Sequence, residues 1–148
     1  MMKNIYQITI AHSRYDSRIF HRISKSLAKT KLNLKLIVSD GLGCEKKDNL
    51  IIKDIGNYNK LFFKNIFKQI KIFFELKNKN SIIHFHEPIL LPLAIFLRIF
   101  GNIVIFDMHE NIHLQIMTKN WPLPNIIKKI ISKFYRKIEN QFLRGLNG

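Results

Sequence analysis

Apolar and polar positions along the chain form an alternating series of short apolar runs and helical stripes. Asn4 to Ala11 reads as a first strand with Ile8 and Ile10 inside. Beyond a polar loop, Ile19, Phe20, Ile23, Leu27 and Ala28 recur at helical spacing, with Arg18, Arg22, Lys25 and Lys29 opposite. Asp16 or Ser17 stands where that helix needs a cap. Leu32 to Val38 predicts a second strand, Ser39 to Asp48 a glycine-containing loop, and Asn49 to Ile55 a short third strand. A helix from about Lys60 to Lys77 follows, then a buried strand from Ser81 to Phe85. Pro88 suits the first turn of an apolar helix running to about Phe100, which Gly101 stops. Asn102 to Phe106 is a fifth strand, and a last helix spans about Asn125 to Leu143.

Continuous apolar strands separated by helices predict an α/β fold, a doubly wound, Rossmann-like and mostly parallel sheet covered on both faces. The doubly wound order 3-2-1-4-5 puts the topological switch point between the first and fourth strands, and ligands of such sheets sit beyond the carboxyl ends there. The loops after strands one, four and five read His12-Ser13-Arg14-Tyr15-Asp16-Ser17-Arg18, His86-Glu87-Pro88 and Asp107-Met108-His109-Glu110. Four of the six histidines (His12, His84, His86 and His109) lie in or next to them. That concentration points to function at the sheet's carboxyl edge.

The 148 residues suffice for one compact domain, residues 1–148, with no internal repeat or linker. Hydrophobic residues make up 47% and charged residues 24%, a composition that can bury a core. The 25 Lys and Arg against 10 Asp and Glu give a formal charge of +15, which favours an acidic partner or an anionic surface. The single cysteine, Cys44, excludes a disulfide framework and a multi-cysteine zinc site, and fits an intracellular protein. Met1 to Ala11 lacks the continuous apolar centre of a signal peptide. The apolar region Ile82 to Phe106 is interrupted by His84, His86, Glu87 and Arg98, so no transmembrane helix is expected.

Three stretches, His12 to His21 (HSRYDSRIFH), His84 to Pro92 (HFHEPILLP) and Val104 to Glu110 (VIFDMHE), resemble the amino-terminal domain of family 4 glycosyltransferases. These are retaining enzymes with the two-domain GT-B fold, and the resemblance covers nearly the whole chain. It implies transfer of a sugar from a nucleotide-sugar to a glycan or lipid-linked acceptor, usually in cell-surface polysaccharide synthesis. The amino-terminal domain of such an enzyme forms the acceptor side, and a second domain holds most of the nucleotide-sugar. Members continue beyond the position of Glu139 into that donor domain, whereas this sequence stops at Gly148. The expectation is therefore an acceptor-side half: an excised domain, a truncated product, or one chain of a split enzyme with a separate donor-domain chain. The resemblance implies no cofactor and no metal, the nucleotide-sugar being a substrate.

It also implies a catalytic role for His109, whose counterpart faces the interdomain cleft and contacts the reacting sugar. A cleft imidazole there could stabilise an oxocarbenium-like transition state; the alternative is a histidine packed at a strand end. Glu110 and Asp107 could bind acceptor hydroxyls or satisfy loop amides. His86 and Glu87 flank the crevice, where a carboxylate could orient or help deprotonate an acceptor hydroxyl. Glu87 equally suits the helix amino terminus beside Pro88. His84 shares a strand face with His86 and is read as a packed residue. Arg14 could present its guanidinium to a phosphate. Gly41-Leu42-Gly43 lacks the third glycine of a dinucleotide fingerprint. His109-Glu110-Asn111-Ile112-His113 fits the H-E-x-x-H pattern, but its first histidine ends a strand and no later histidine completes a zinc site.

Two basic helices supply the remaining signal. Phe62, Phe63, Ile66, Phe67, Ile70, Phe73 and Phe74 form a broad apolar sector with Lys64, Lys68 and Lys71 on the other side. The last helix sets Ile127, Ile130, Ile131, Phe134 and Ile138 against Lys128, Lys129, Lys133, Arg136 and Lys137. Such stripes ordinarily face a core; the aromatic excess of the first suggests contact with an anionic membrane surface, on the cytoplasmic side. Rival readings are a non-catalytic subunit and a nucleic-acid-binding module. The second is disfavoured because the basic residues are spread over every helix without a binding motif.

Overall fold

A computed structural model of the protein describes residues 4–30, 32–57, 64–77, 80–107, 112–118 and 124–144. Among these, six strands make one sheet: β1 (Ile5–Ile8), β2 (Leu34–Val38), β3 (Glu45–Lys47), β4 (Leu50–Asp54), β5 (Ile82–Phe85) and β6 (Ile103–Phe106). Their order is β3-β4-β2-β1-β5-β6. All pairings are parallel except β3 with β4. The five parallel strands reproduce the predicted doubly wound order. Every residue of β1 is buried, as befits a central parallel strand, Gln7 included, whose Oε1 accepts from the Ser24 hydroxyl. In register, Ile8 stands between Ile37 and Phe85, so the chain leaves β1 beside the end of β5.

Strand alternation splits the core in two. Ile8, Ile37, Ile83, Phe85, Val104 and Phe106 pack on one face beneath α2 (Lys64–Leu76) and α3 (Leu91–Ile99). Ile5, Leu34, Leu36, Val38, Leu50 and Ile52 pack with Ile19 and Phe20 on the other face. Those two belong to α1, a π-helical segment Ser17–Ser24 continued by an α-turn Lys25–Ala28. Asp16 caps α1: its Oδ1 accepts from the amides of Arg18 and Ile19, both at 2.9 Å. The helical spacing was legible but the wider winding was not. The Asp16 carbonyl is shared by the Phe20 and His21 amides, and the Ser24 hydroxyl donates back to the Ile19 carbonyl at 2.8 Å.

Pro88–Leu90 forms a 3-10 turn before α3, and Pro92 occupies the first turn, where a missing N–H costs nothing. Gly101 ends the helix at φ +82°, as predicted. Two elements depart from expectation. β3, read as loop, is a charged strand turned onto β4 through Asp48, whose φ is +53°. α4 (Ile112–Thr118) precedes α5 (Asn125–Leu143) and packs on it.

The two basic helices bury a different face from the one their apolar stripes suggest. On α5, Lys128, Ser132 and Glu139 are buried, while Ile126, Ile130 and Phe134 are exposed. On α2, Ile72 and Leu76 enter the core, Lys68 is buried with them, and Ile66, Ile70 and Phe74 face solvent. No helix among the described residues is long and apolar enough to cross a membrane.

Candidate functional site

Glu87 stands two residues past the end of β5 and is 5% exposed. It stands just before the 3-10 turn but makes no side-chain cap to it. Its carboxylate crosses the switch point instead. Oε1 accepts from the Thr9 hydroxyl and from the amides of Ile10 (3.2 Å) and Ala11 (3.3 Å), all on the chain leaving β1. Oε2 is buried and has no hydrogen-bond partner among the described residues. Burial pushes the Glu87 carboxyl up, against the downward pull of the Thr9 hydroxyl, the two amides and the nearby His12. One oxygen thus fastens two strand ends together, and the other is buried at the switch point without a hydrogen-bond partner among the described residues.

His12 stands beside this carboxylate, its Nε2 4.0 Å from Glu87 Oε1 and its Nδ1 4.0 Å from Asp16 Oδ2. From α2, Lys68 reaches the same turn and donates to the Ile10 carbonyl at 3.4 Å. The sequence reading placed Lys68 on a solvated face. It is drawn in because the Ile10 carbonyl lies past the end of β1 and needs a donor. Thr9 and Lys68 are site residues that the sequence pattern does not single out, whereas His12 is one of the four histidines it places at the sheet's carboxyl edge and the first residue of the HSRYDSRIFH stretch.

His86 turns the other way. Its side chain is fully buried, with Nδ1 3.7 Å from Asp107 Oδ2 beyond β6. The His84 ring lies 4.4 Å from the His86 ring, and His84 Nε2 is 3.9 Å from the same Asp107 oxygen. The structure therefore separates two residues that the sequence reading grouped together: Glu87 faces β1, and His86 faces β6. It also brings His84, which had been given no role, into contact with His86 and Asp107.

Arg14 is 5% exposed, and its guanidinium is engaged within the protein. Nε and Nη2 bind the two oxygens of Asp40 at 2.7 and 2.6 Å, Nη2 also donates to the Gly43 carbonyl at 2.9 Å, and Nη1 reaches Glu45 at 3.4 Å. This pairing raises Arg14 and holds Asp40 below the ordinary carboxylate range. The role expected for Arg14 at a phosphate is thereby replaced by clamping the loop between β2 and β4. In that loop, Gly41 takes φ +80°, and a Cβ there would stand 2.8 Å from the Asn57 Cβ, so the turn itself requires glycine at this position. His109 and Glu110 lie outside the described residues.

Compared with protein-family models, curated proteins and solved structures, the chain shows no match.

Proposed function

We propose that the chain is the acceptor-side domain of a retaining glycosyltransferase of family 4. The enzyme would move a sugar from a nucleotide-sugar to a glycan or lipid-linked acceptor in cell-surface polysaccharide synthesis. One observation carries the reading: at the switch point of a doubly wound sheet, Glu87 keeps a buried carboxylate oxygen without a hydrogen-bond partner among the described residues. Such an oxygen is suited to accept a hydrogen bond from an acceptor hydroxyl and to draw on its proton as the hydroxyl attacks. The half-exposed His12 stands beside Glu87, its Nε2 4.0 Å from Oε1. His109 and Glu110 join the reading through the resemblance of VIFDMHE to the family. A donor-binding domain, on the same polypeptide or on a separate chain, supplies most of the nucleotide-sugar site.

The test is an array of free and lipid-linked oligosaccharides probed with the 148-residue chain and with Glu87→Gln. The chain is expected to be retained on a restricted set of glycans, and Glu87→Gln about tenfold more weakly at unchanged thermal stability. Glutamine keeps a carbonyl oxygen for Thr9, Ile10 and Ala11 but replaces the open acceptor with an amide donor. Failure to retain any glycan, with steeply salt-dependent binding to arbitrary duplex DNA, would favour the nucleic-acid reading instead.

An anionic membrane surface is the place where a lipid-linked acceptor would be met. Ile66, Ile70, Phe74, Phe96 and Phe100 line an apolar groove of about 630 Å³ between α2 and α3. Lys77 stands 4.6 Å from the Phe74 ring, on a chain of formal charge +15. In sedimentation with vesicles, the chain is expected to pellet with phosphatidylglycerol-containing lipid and stay in the supernatant with pure phosphatidylcholine. Equal partitioning would remove the membrane from the reading.

A further inference from the structure

His84 and His86 stand two residues apart at the end of β5, so strand alternation puts both imidazoles on one face of the sheet. This is the face opposite Ile83, Phe85, Val104 and Phe106, whose side chains lie under α2 and α3. The β5–β6 ladder sets His84 beside Ile105 and continues through the Asp107 amide, which donates to the Phe85 carbonyl at 2.9 Å. That bond stations the Asp107 carboxylate against both rings. One donor atom from each of His84, His86 and Asp107 falls within 4.8 Å of the other two. Asp107 Oδ2 is 3.9 Å from His84 Nε2 and 3.7 Å from His86 Nδ1.

We propose that His84, His86 and Asp107 bind a divalent transition-metal ion, with zinc as the representative cation. Around a tetrahedral zinc with ligands at about 2.0–2.2 Å, donor atoms stand about 3.3–3.5 Å apart. The two separations from Asp107 exceed that range by a few tenths of an ångström. The His84 and His86 donor atoms, within 4.8 Å of each other, must close as well, so binding would draw both imidazoles and the 27%-exposed Asp107 side chain inward onto the ion. Two imidazoles and one carboxylate select zinc, cobalt, nickel or ferrous iron over magnesium or calcium, which take oxygen ligands. The three ligands are graded in exposure, His86 at 0%, His84 at 16% and Asp107 at 27%. The ion would be anchored on the buried His86, and its fourth position would be left for a water or an exogenous ligand. Because Glu87 points toward β1 while His86 points toward Asp107, the metal site is separate from the open carboxylate oxygen and independent of the glycan reading.

The experiment uses the untagged, chelator-stripped chain, titrated with zinc chloride by calorimetry and with cobalt(II) by visible absorption. Wild-type protein is expected to bind one equivalent of zinc, and cobalt to develop the intense visible bands of low-coordinate nitrogen and oxygen ligation. Asp107→Ala and His84→Gln should each weaken zinc binding at least about tenfold while circular dichroism stays unchanged. The pair of variants protects the test: Asp107 is partly exposed, so its replacement reports on ligation even where the histidine change perturbs packing. His21→Ala, which removes an exposed imidazole of α1, is the control and should leave the affinity as it was. Absence of zinc binding by wild type, retention of affinity in either ligand variant, or loss of it in the control would overturn the site.

Discussion

Arg14→Ala is expected to lower the free energy of unfolding by about 3 kcal/mol at neutral pH, measured by urea denaturation followed by circular dichroism. The figure is at the low end of the cost of breaking a buried ion pair, because Asp40 keeps 23% of its side chain in water. The variant strands more than one group: the Asp40 carboxylate loses both charge-assisted bonds, and the Gly43 carbonyl and Glu45 lose a donor. Arg14→Lys should recover less than half of the loss, since one ammonium cannot span both Asp40 oxygens and the Gly43 carbonyl together. The pH dependence has a definite sign. Arg14 depresses Asp40, so the stability from this pair is fully present above the ordinary aspartate value, about 3.9, and is lost as pH falls through the lower folded value. The gap between wild type and Arg14→Ala should therefore be widest near neutrality and shrink on acidification. A gap independent of pH would mean that Arg14 acts by packing alone.

Glu87→Ala should cost about 2–3 kcal/mol and abolish glycan retention. Alanine leaves the Thr9 hydroxyl and the amides of Ile10 and Ala11 without their shared acceptor. Thr9 and Ile10 are buried, so water does not readily replace the carboxylate. Glu87→Gln keeps an acceptor at the Oε1 position and should unfold close to wild type. The contrast separates the two oxygens of one side chain: Oε1, which fastens β1 to β5, and Oε2, which the proposed reading gives to a ligand. Should Glu87→Ala prove as stable as wild type, the carboxylate would not be the fastener that its geometry describes.

The strand order was legible because the strands of a parallel sheet carry short apolar runs, such as Leu36 to Val38 and Ile103 to Phe106. β3 was not, because Glu45, Lys46 and Lys47 carry no apolar pattern, and only pairing with β4 makes them a strand. Helix periodicity showed that α5 has two faces but not which one is buried. Lys128, Ser132 and Glu139 go inward, and Ile126, Ile130 and Phe134 go out. For the site, chain spacing located the crevice but not the partners within it. Glu87 bonds residues 76 to 78 positions away, and Arg14 bonds Asp40 across 26. His84 and His86 could be placed on one face from their spacing. Asp107 joins them only through the ladder that pairs β5 with β6.

The two rims of the sheet are chemically unlike. On one side the chain folds a lysine-bearing hairpin arm, Glu45–Lys47, over β4, and a third strand arriving there would have to desolvate charge. On the opposite side β6 offers Ile103 and Ile105, and β5 is its one strand partner among the described residues. Lateral growth, whether by more of the same polypeptide or by a neighbouring molecule, is thereby steered to the β6 margin, away from the hairpin.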